Sequence, residues 1–252
     1  ILNLVLQYII LVMKKIILLT ITICLSSISF GQVPSYVPTN GLVGWWGFNG
    51  NANDESGNGN NGTVNGATLT TDRFGNSNSA YEFDGIDDYI LILDNNDLDL
   101  YNTSYTISEW FLIDSLNTTN GHAIVSKRPT GTSGEYNGYI SVYASDAERI
   151  EFHVTRGSDP SISTVPNSII LGSWHNSIIS FNINSNVTKY YLDGILIDST
   201  TVVYAPQPSS SDLYFGRDAN LGSVPNDYCL NGKIDGIGIW NRALTDCEIT
   251  EL

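Results

Sequence analysis

The residues of this chain best equipped for chemistry are oxygen donors. Asp54, Asn58 and Asn60 sit in Asn49–Gly66, NGNANDESGNGNNGTVNG, a segment made almost wholly of turn formers. Hard divalent cations such as calcium take six to eight oxygens from carboxylates, amides and backbone carbonyls, and such a loop supplies them. Asp235 lies far along the chain, in KIDGIGIW (Lys233–Trp240), where isoleucines alternate with glycines. A period of two places Asp235 on the same side as Ile237 and Ile239, a costly position for an unpaired carboxylate. A cation between the loop and Asp235 would neutralise that carboxylate and join the two ends of the chain. The alternative is a loop closed by Asx hydrogen bonds and an Asp235 held by hydrogen bonds alone.

Acid–base and nucleophilic chemistry are poorly provided for. Asp146-Ala147-Glu148 and Glu151 come nearest to a paired carboxylate, but a strand beginning at Ile150 starts too late to carry all three acids. Glu109, in SYTISEWFLI, is the one acid inside a strongly patterned strand, and a single acid without a second acid, His or Tyr is not a mechanism. His122, His153 and His175 are isolated and show no metal-type spacing. No Ser-His-Asp set, phosphate-binding glycine loop or Cys-x-x-Cys occurs. The chain reads as non-catalytic.

The elements that must position these residues are short strands. Met13, the only methionine, is followed by Lys14-Lys15, an apolar run Ile16–Leu25 and small residues at Ser29 and Gly31. This reads as a secretory signal peptide over residues 13–31, preceded by an upstream extension over residues 1–12. Residues 32–40 form a proline-containing leader, and one domain follows from 41 to 252. Without Lys14 and Lys15 the exported chain carries nine basic against 26 acidic side chains, a net charge of −17. Nucleic acid is a poor partner for that balance, and the lysine pair splits the apolar residues into segments too short to span a membrane, which argues against an anchor. Cys229 and Cys247 remain after processing. An oxidising compartment favours a disulfide between them, contributing roughly 3 kcal/mol, against two free thiols.

Strand patterns recur at Gly41–Asn49, with Trp45 and Trp46 on opposite faces, then at Ser79–Asp84, Tyr89–Leu93, Ser104–Ile113, Ala123–Ser126 and Tyr139–Tyr143. They continue at Ile150–Thr155, Ser173–Phe181, Thr188–Leu192, Ile195–Asp198, Asp212–Gly216 and the closing stretch. Thr245 and Glu248 form a capping box for a short C-terminal helix, with Leu244 and Ile249 as its hydrophobic staple. The expected fold is all-β: an antiparallel two-sheet jelly-roll β-sandwich with one short C-terminal helix.

Taken in order, GLVGWWGFNGNANDESGNGNNGTVNGATL, AYEFDGIDDYI, SYTISEWFLID, SWHNSIISFN, KYYLDGILI, LYFGR and KIDGIGIWNRALTDCEI resemble a laminin-G-like jelly-roll domain. Such domains belong to the concanavalin A-like lectin/glucanase superfamily and occur in exported proteins of Bacteroidetes-type bacteria. The resemblance runs from Gly41 to Leu252. Gly47, Glu109 and Gly236 depart from the usual residues, and Gly236 removes the second acid of the usual Ile-Asp-Asp. The resemblance implies a secreted or cell-surface module that binds polysaccharide or a cell-surface glycan, within an adhesin or enzyme. It also implies a structural Ca2+ tying Asp54, Asn58 and Asn60 to Asp235. Sugar contact is expected on Tyr136, Tyr139, Tyr143 and Tyr214, since aromatic faces stack on sugar rings. The competing reading is a polysaccharide-degrading hydrolase or lyase of the same fold.

Overall fold

The computed structural model describes residues 7, 10–15, 32–115, 121–129, 138–145, 148–154, 161–201, 206–218 and 228–252. The expected cleavage site and Tyr136 lie outside the described residues. The chain divides into Ile1–Gln32, whose residues 10–15 are helical, and the compact unit Val33–Leu252. No helix among the described residues is long and apolar enough to cross a membrane. Residues 33–40, expected as a leader, are part of the compact unit: Val37 is buried, and the Pro38 carbonyl accepts a hydrogen bond from the Trp240 indole at 2.6 Å.

Two antiparallel sheets pack face to face. The first has β3 (Thr68–Thr70) at one edge, then β4 (Ala80–Asp84), β15 (Asn231–Trp240), β6 (Tyr105–Ile113), β11 (Trp174–Asn182), β12 (Val187–Leu192) and β13 (Ile195–Thr200). The first strand, β1 (Leu42–Trp46), also pairs with β15. The second sheet runs from β2 (Gly62–Asn65) through β5 (Tyr89–Ile92), β14 (Leu213–Phe215), β7 (His122–Lys127) and β8 (Tyr139–Ala144) to β9 (Arg149–Val154) and β10 (Ser161–Ser163). This is the jelly-roll sandwich expected from the strand pattern, with the first and last strands side by side. The strands β2, β3 and β10 carry no readable alternation, because three or four residues rich in Thr, Ser, Gly and Asn look like turn.

Alternation along the strands sorts side chains into an inter-sheet core and an outer cluster. Trp46, Phe111, Ile179, Phe152 and Phe215 fill the core, where Trp46 and Phe215 meet edge to face at 5.0 Å. Trp45 points the other way and packs with Trp240, Val37, Leu244 and Ile249 on the outside of the first sheet. The closing helix Asp246–Glu251 covers that cluster. Its Thr245–Glu248 capping box is formed, and Leu244 and Ile249 are both buried.

Two expectations are corrected here. The β15–β6 ladder shifts register between Ile234 and Ile237, so Ile234, Ile237 and Ile239 all enter the core. An extra residue at Asp235-Gly236 breaks the period of two and turns Asp235 to the outer face, away from the isoleucines. The cysteines are free, Cys229 buried and Cys247 exposed. Cys229 precedes the start of β15 and Cys247 lies in the helix after its end, and no bond joins them.

Among the described residues, Glu109 is a core acid with no cation beside it. Glu109 points inward from β6, and its Oε1 accepts hydrogen bonds from the hydroxyls of Ser177, at 2.7 Å, and of Ser141 in the opposite sheet. Its Oε2 has no partner. Burial pushes the carboxyl up to about 7, against the pull of the two serines. The folded state therefore holds a proton that the unfolded chain releases near 4.5. Stability is full below that value and falls as pH rises through about 7, by about 3 kcal/mol in all. Glu109→Gln should flatten this dependence, giving a higher urea midpoint than the parent at pH 8 and little change at pH 4.

Candidate functional site

On the outer face of the first sheet, β6 and β11 present two indoles. Trp110 alternates outward between Glu109 and Phe111, and Trp174 opens β11 beside it, opposite Leu112. The turn after β3 adds a third aromatic. Asp72 accepts from the backbone amides of Phe74 and Asn76 at 2.9 and 2.7 Å, an Asx turn that leaves Phe74 69 % exposed. Tyr36, from the segment before β1, completes the aromatic wall, and Glu251 and Leu252 close the other side. These residues line a cleft of about 380 Å³.

Arg73 is the centre of this cleft. Its Nη1 lies 2.5 Å from Asp235 Oδ2, and its Nη2 donates to the Tyr36 hydroxyl at 3.2 Å. The guanidinium carbon sits 4.4 Å from the Phe74 ring centre and 4.6 Å from that of Trp110. Asp235 takes two further hydrogen bonds, from the amides of Gly236 at 2.7 Å and Arg73 at 3.4 Å. Burial raises the Asp235 carboxyl above its ordinary range, and the Arg73 charge opposes that shift. The Trp110 indole donates to the Leu252 carbonyl at 3.0 Å, tying the closing helix to the cleft. The arrangement offers flat aromatic faces, a pinned guanidinium and one carboxylate, Glu251. It supplies stacking and hydrogen bonding, and among the described residues no second acid stands across it.

The expected metal ligands are placed otherwise. Asp54 Oδ1 accepts from the amides of Trp45 and Ser56 at 3.1 and 2.9 Å, and Oδ2 from that of Asn60 at 3.0 Å. Asn58 and Asn60 turn their amide nitrogens to the Val43 carbonyl at 3.0 and 2.9 Å, and the Asn60 oxygen accepts from Asn95. The loop is thus closed by its own turn chemistry, and Asp235 is held by Arg73. As they stand, the donors of the loop are engaged by backbone groups and Asp235 by a guanidinium, an arrangement that leaves no set of oxygens turned toward a common cation. Elsewhere, the carboxylates of Asp84, Asp87 and Asp88 converge within 4.8 Å. Asp84 and Asp88 accept from amides of their own turn.

Of the tyrosines expected to contact sugar, Tyr139 and Tyr143 are sealed in the core, and the Tyr139 hydroxyl donates to the Leu98 carbonyl at 3.0 Å. No ligand ring can reach them, because positions 139, 141 and 143 share the inward face of β8. Tyr214 is half-buried on the outer face of the second sheet, beside Tyr89. Sequence reasoning passed over Arg73, Phe74, Trp110 and Trp174. The available signal was Arg73-Phe74 inside the polar turn TDRFGNSN, an aromatic with no core to enter. The histidines serve structure: Ile170 donates its amide to His175 Nε2 at 3.0 Å, which leaves Nδ1 to donate to Asp193 at 2.9 Å.

The Asp235–Arg73 pair gives a direct test. Both side chains are more than nine-tenths buried, and removing one partner of such a pair costs about 3–5 kcal/mol. Asp235→Asn should lose most of that in urea unfolding, equally in EDTA and in millimolar calcium. A loss seen only with calcium present would mean that an ion, not Arg73, compensates the carboxylate.

Solved structures share the fold. The binding domain of Paraclostridial Mosquitocidal Protein 1 superposes with a TM-score of 0.64 at 21% identity, over 84% of this chain and 51% of that one. The binding domain of botulinum neurotoxin serotype D gives 0.63 at 16% identity, over 84% and 51%. A Trypanosoma rangeli sialidase, solved with 2,3-difluorosialic acid as a covalent intermediate, gives 0.61 at 18% identity, over 86% and 33%. This chain therefore spans about half the length of the toxin domains it matches, and a third of the sialidase. No curated protein sequence matches it. Residues 83–250 match the Laminin_G_3 family, described as concanavalin A-like lectin/glucanases superfamily, and on that match over most of its length the chain belongs to this family.

Proposed function

We propose that this protein is an exported, non-catalytic binding module for a polysaccharide or cell-surface glycan, and that the ligand lies in the cleft of Trp110, Trp174, Phe74 and Tyr36 around Arg73. The observation that carries this reading is the cleft itself. Aromatic side chains that would ordinarily be buried are gathered on an outer sheet face around a fixed hydrogen-bond donor. Stacking on rings fixes the apolar face of a sugar, and the guanidinium and Glu251 are placed to bind its hydroxyls. The lectin-like fold supports the reading, as do similar structures that are themselves named binding domains and one solved with a sialic acid derivative. Export is supported by the Lys14-Lys15 pair and the apolar run behind it.

The degrading-enzyme alternative has no comparable support. Glu109 is sealed between the sheets, and Glu151 is committed to His153 and Arg149, which hold it at about 2.

A glycan array on the purified protein should identify a ligand. Phe74→Ala, at a largely exposed position, and Trp174→Ala should each weaken binding to it by about tenfold, and Phe74→Ala should leave the melting temperature nearly unchanged. Parent-like affinity in both variants would overturn the placement, and turnover of the bound glycan would overturn the non-catalytic reading.

A further inference from the structure

The outer face of the second sheet carries a different constellation. Tyr214 in β14 lies opposite Leu91 in β5, so Tyr89 is its diagonal neighbour, and the two rings meet at 5.8 Å and 52°. Arg217 follows β14 through Gly216, whose φ of 82° turns the chain back over the strand. That turn is fixed from both sides: the Gly216 amide donates to the Ile124 carbonyl at 3.0 Å, and its carbonyl accepts from the Leu230 amide at 2.8 Å. A side chain at Gly216 would collide with the Phe83 ring at 2.3 Å. The rigid turn sets the Arg217 guanidinium 4.3 Å from the Tyr89 ring centre and 5.3 Å from that of Tyr214.

Among the described residues no carboxylate pairs with this cation. Arg73, Arg128, Arg149 and Arg242 each pair with a carboxylate. Arg217 is the described arginine that pairs with none, although the chain carries 26 acidic residues against 11 basic ones. The adjacent Asp218 is taken by Arg128 and Ser126. Asp212 acts on Tyr214 through space but makes no ion pair with Arg217, and it accepts the Asp94 amide instead. Among the described residues neither the Tyr89 nor the Tyr214 hydroxyl is hydrogen-bonded to protein. A partly exposed arginine, its guanidinium carbon within reach of two rings whose hydroxyls have no partner among the described residues, has the fork geometry that takes a carboxylate through paired N–H bonds.

We propose that Arg217, Tyr89 and Tyr214 form a second glycan subsite, for a sugar residue that bears a carboxylate, as uronic acids do. The guanidinium binds the carboxylate, and the tyrosine hydroxyls bind the ring hydroxyls beside it. The proposal rests on the reading of this domain as a glycan-binding module, but it uses the opposite sheet and none of the same residues.

The test uses a short oligogalacturonate and the same oligomer with its carboxyls reduced to hydroxymethyl groups, titrated calorimetrically into the protein. The acidic oligomer should bind at least about tenfold more tightly than the reduced one, with affinity falling as salt rises. Arg217→Gln should abolish that preference, and Arg217→Lys should keep part of it. Equal binding of the two oligomers, no binding of the acidic one, or a preference that survives Arg217→Gln would overturn the subsite. A ligand lost on Phe74→Ala but indifferent to Arg217 would uphold the aromatic cleft and remove only this second site.

Discussion

A carboxylate buried on the last strand requires a cation beside it, and much of this molecule follows from that requirement. Asp235 faces outward because β15 bulges at Asp235-Gly236, and the bulge leaves the isoleucines before and after it in the core. Desolvating the acid is unfavourable, so the fold brings Arg73 from a turn far away in sequence. Once pinned, Arg73 draws Phe74, Trp110 and Tyr36 around it. The binding face is thereby joined to the central strand of the first sheet, which pairs with β1, β4 and β6.

The inter-sheet core shows the same logic with other solutions. Lys127 is wholly buried, and its ammonium is met by Asp94 at 2.5 Å, Asp99 at 3.3 Å and the carbonyls of Ser209 and Ser211. This cage uses up acids that would otherwise look like metal ligands or catalytic groups. Glu109 has no cation beside it among the described residues; burial raises its carboxyl to about 7, with two serine hydroxyls on one oxygen. Each of these buried groups is met by neighbours at its own position, and each match removes a residue from the set available for chemistry.

What remains exposed divides between the two outer faces. The first sheet presents aromatic rings around a compensated guanidinium, and the second presents a guanidinium near two tyrosines, with no carboxylate paired to it among the described residues. The same pairing of Arg with aromatic rings thus has opposite electrostatic character on the two sides. The difference arises because Asp235 lies behind Arg73, whereas Asp218, beside Arg217, is engaged by Arg128.

The sequence by itself determined the elements whose cause is local. Period-two alternation located Ser104–Ile113 as β6 and put Glu109 with Tyr105, Ile107 and Phe111 on one face. The spacing of Thr245 and Glu248 fixed the helix start, and the Trp45-Trp46 pair had to straddle a sheet. The family was also legible, because it resides in the order of many short motifs. The tertiary structure alone decided the pairings between distant residues. A one-residue bulge moved Asp235 from the isoleucine face to Arg73, and Cys229 and Cys247, on either side of the closing strand in the chain, stayed unbonded. Alternation assigned Tyr139 and Tyr143 to one face of β8, but it could not say that this face was the core. Side-chain period is set by backbone geometry within a strand, whereas the environment of a face is set by whatever the rest of the chain packs against it.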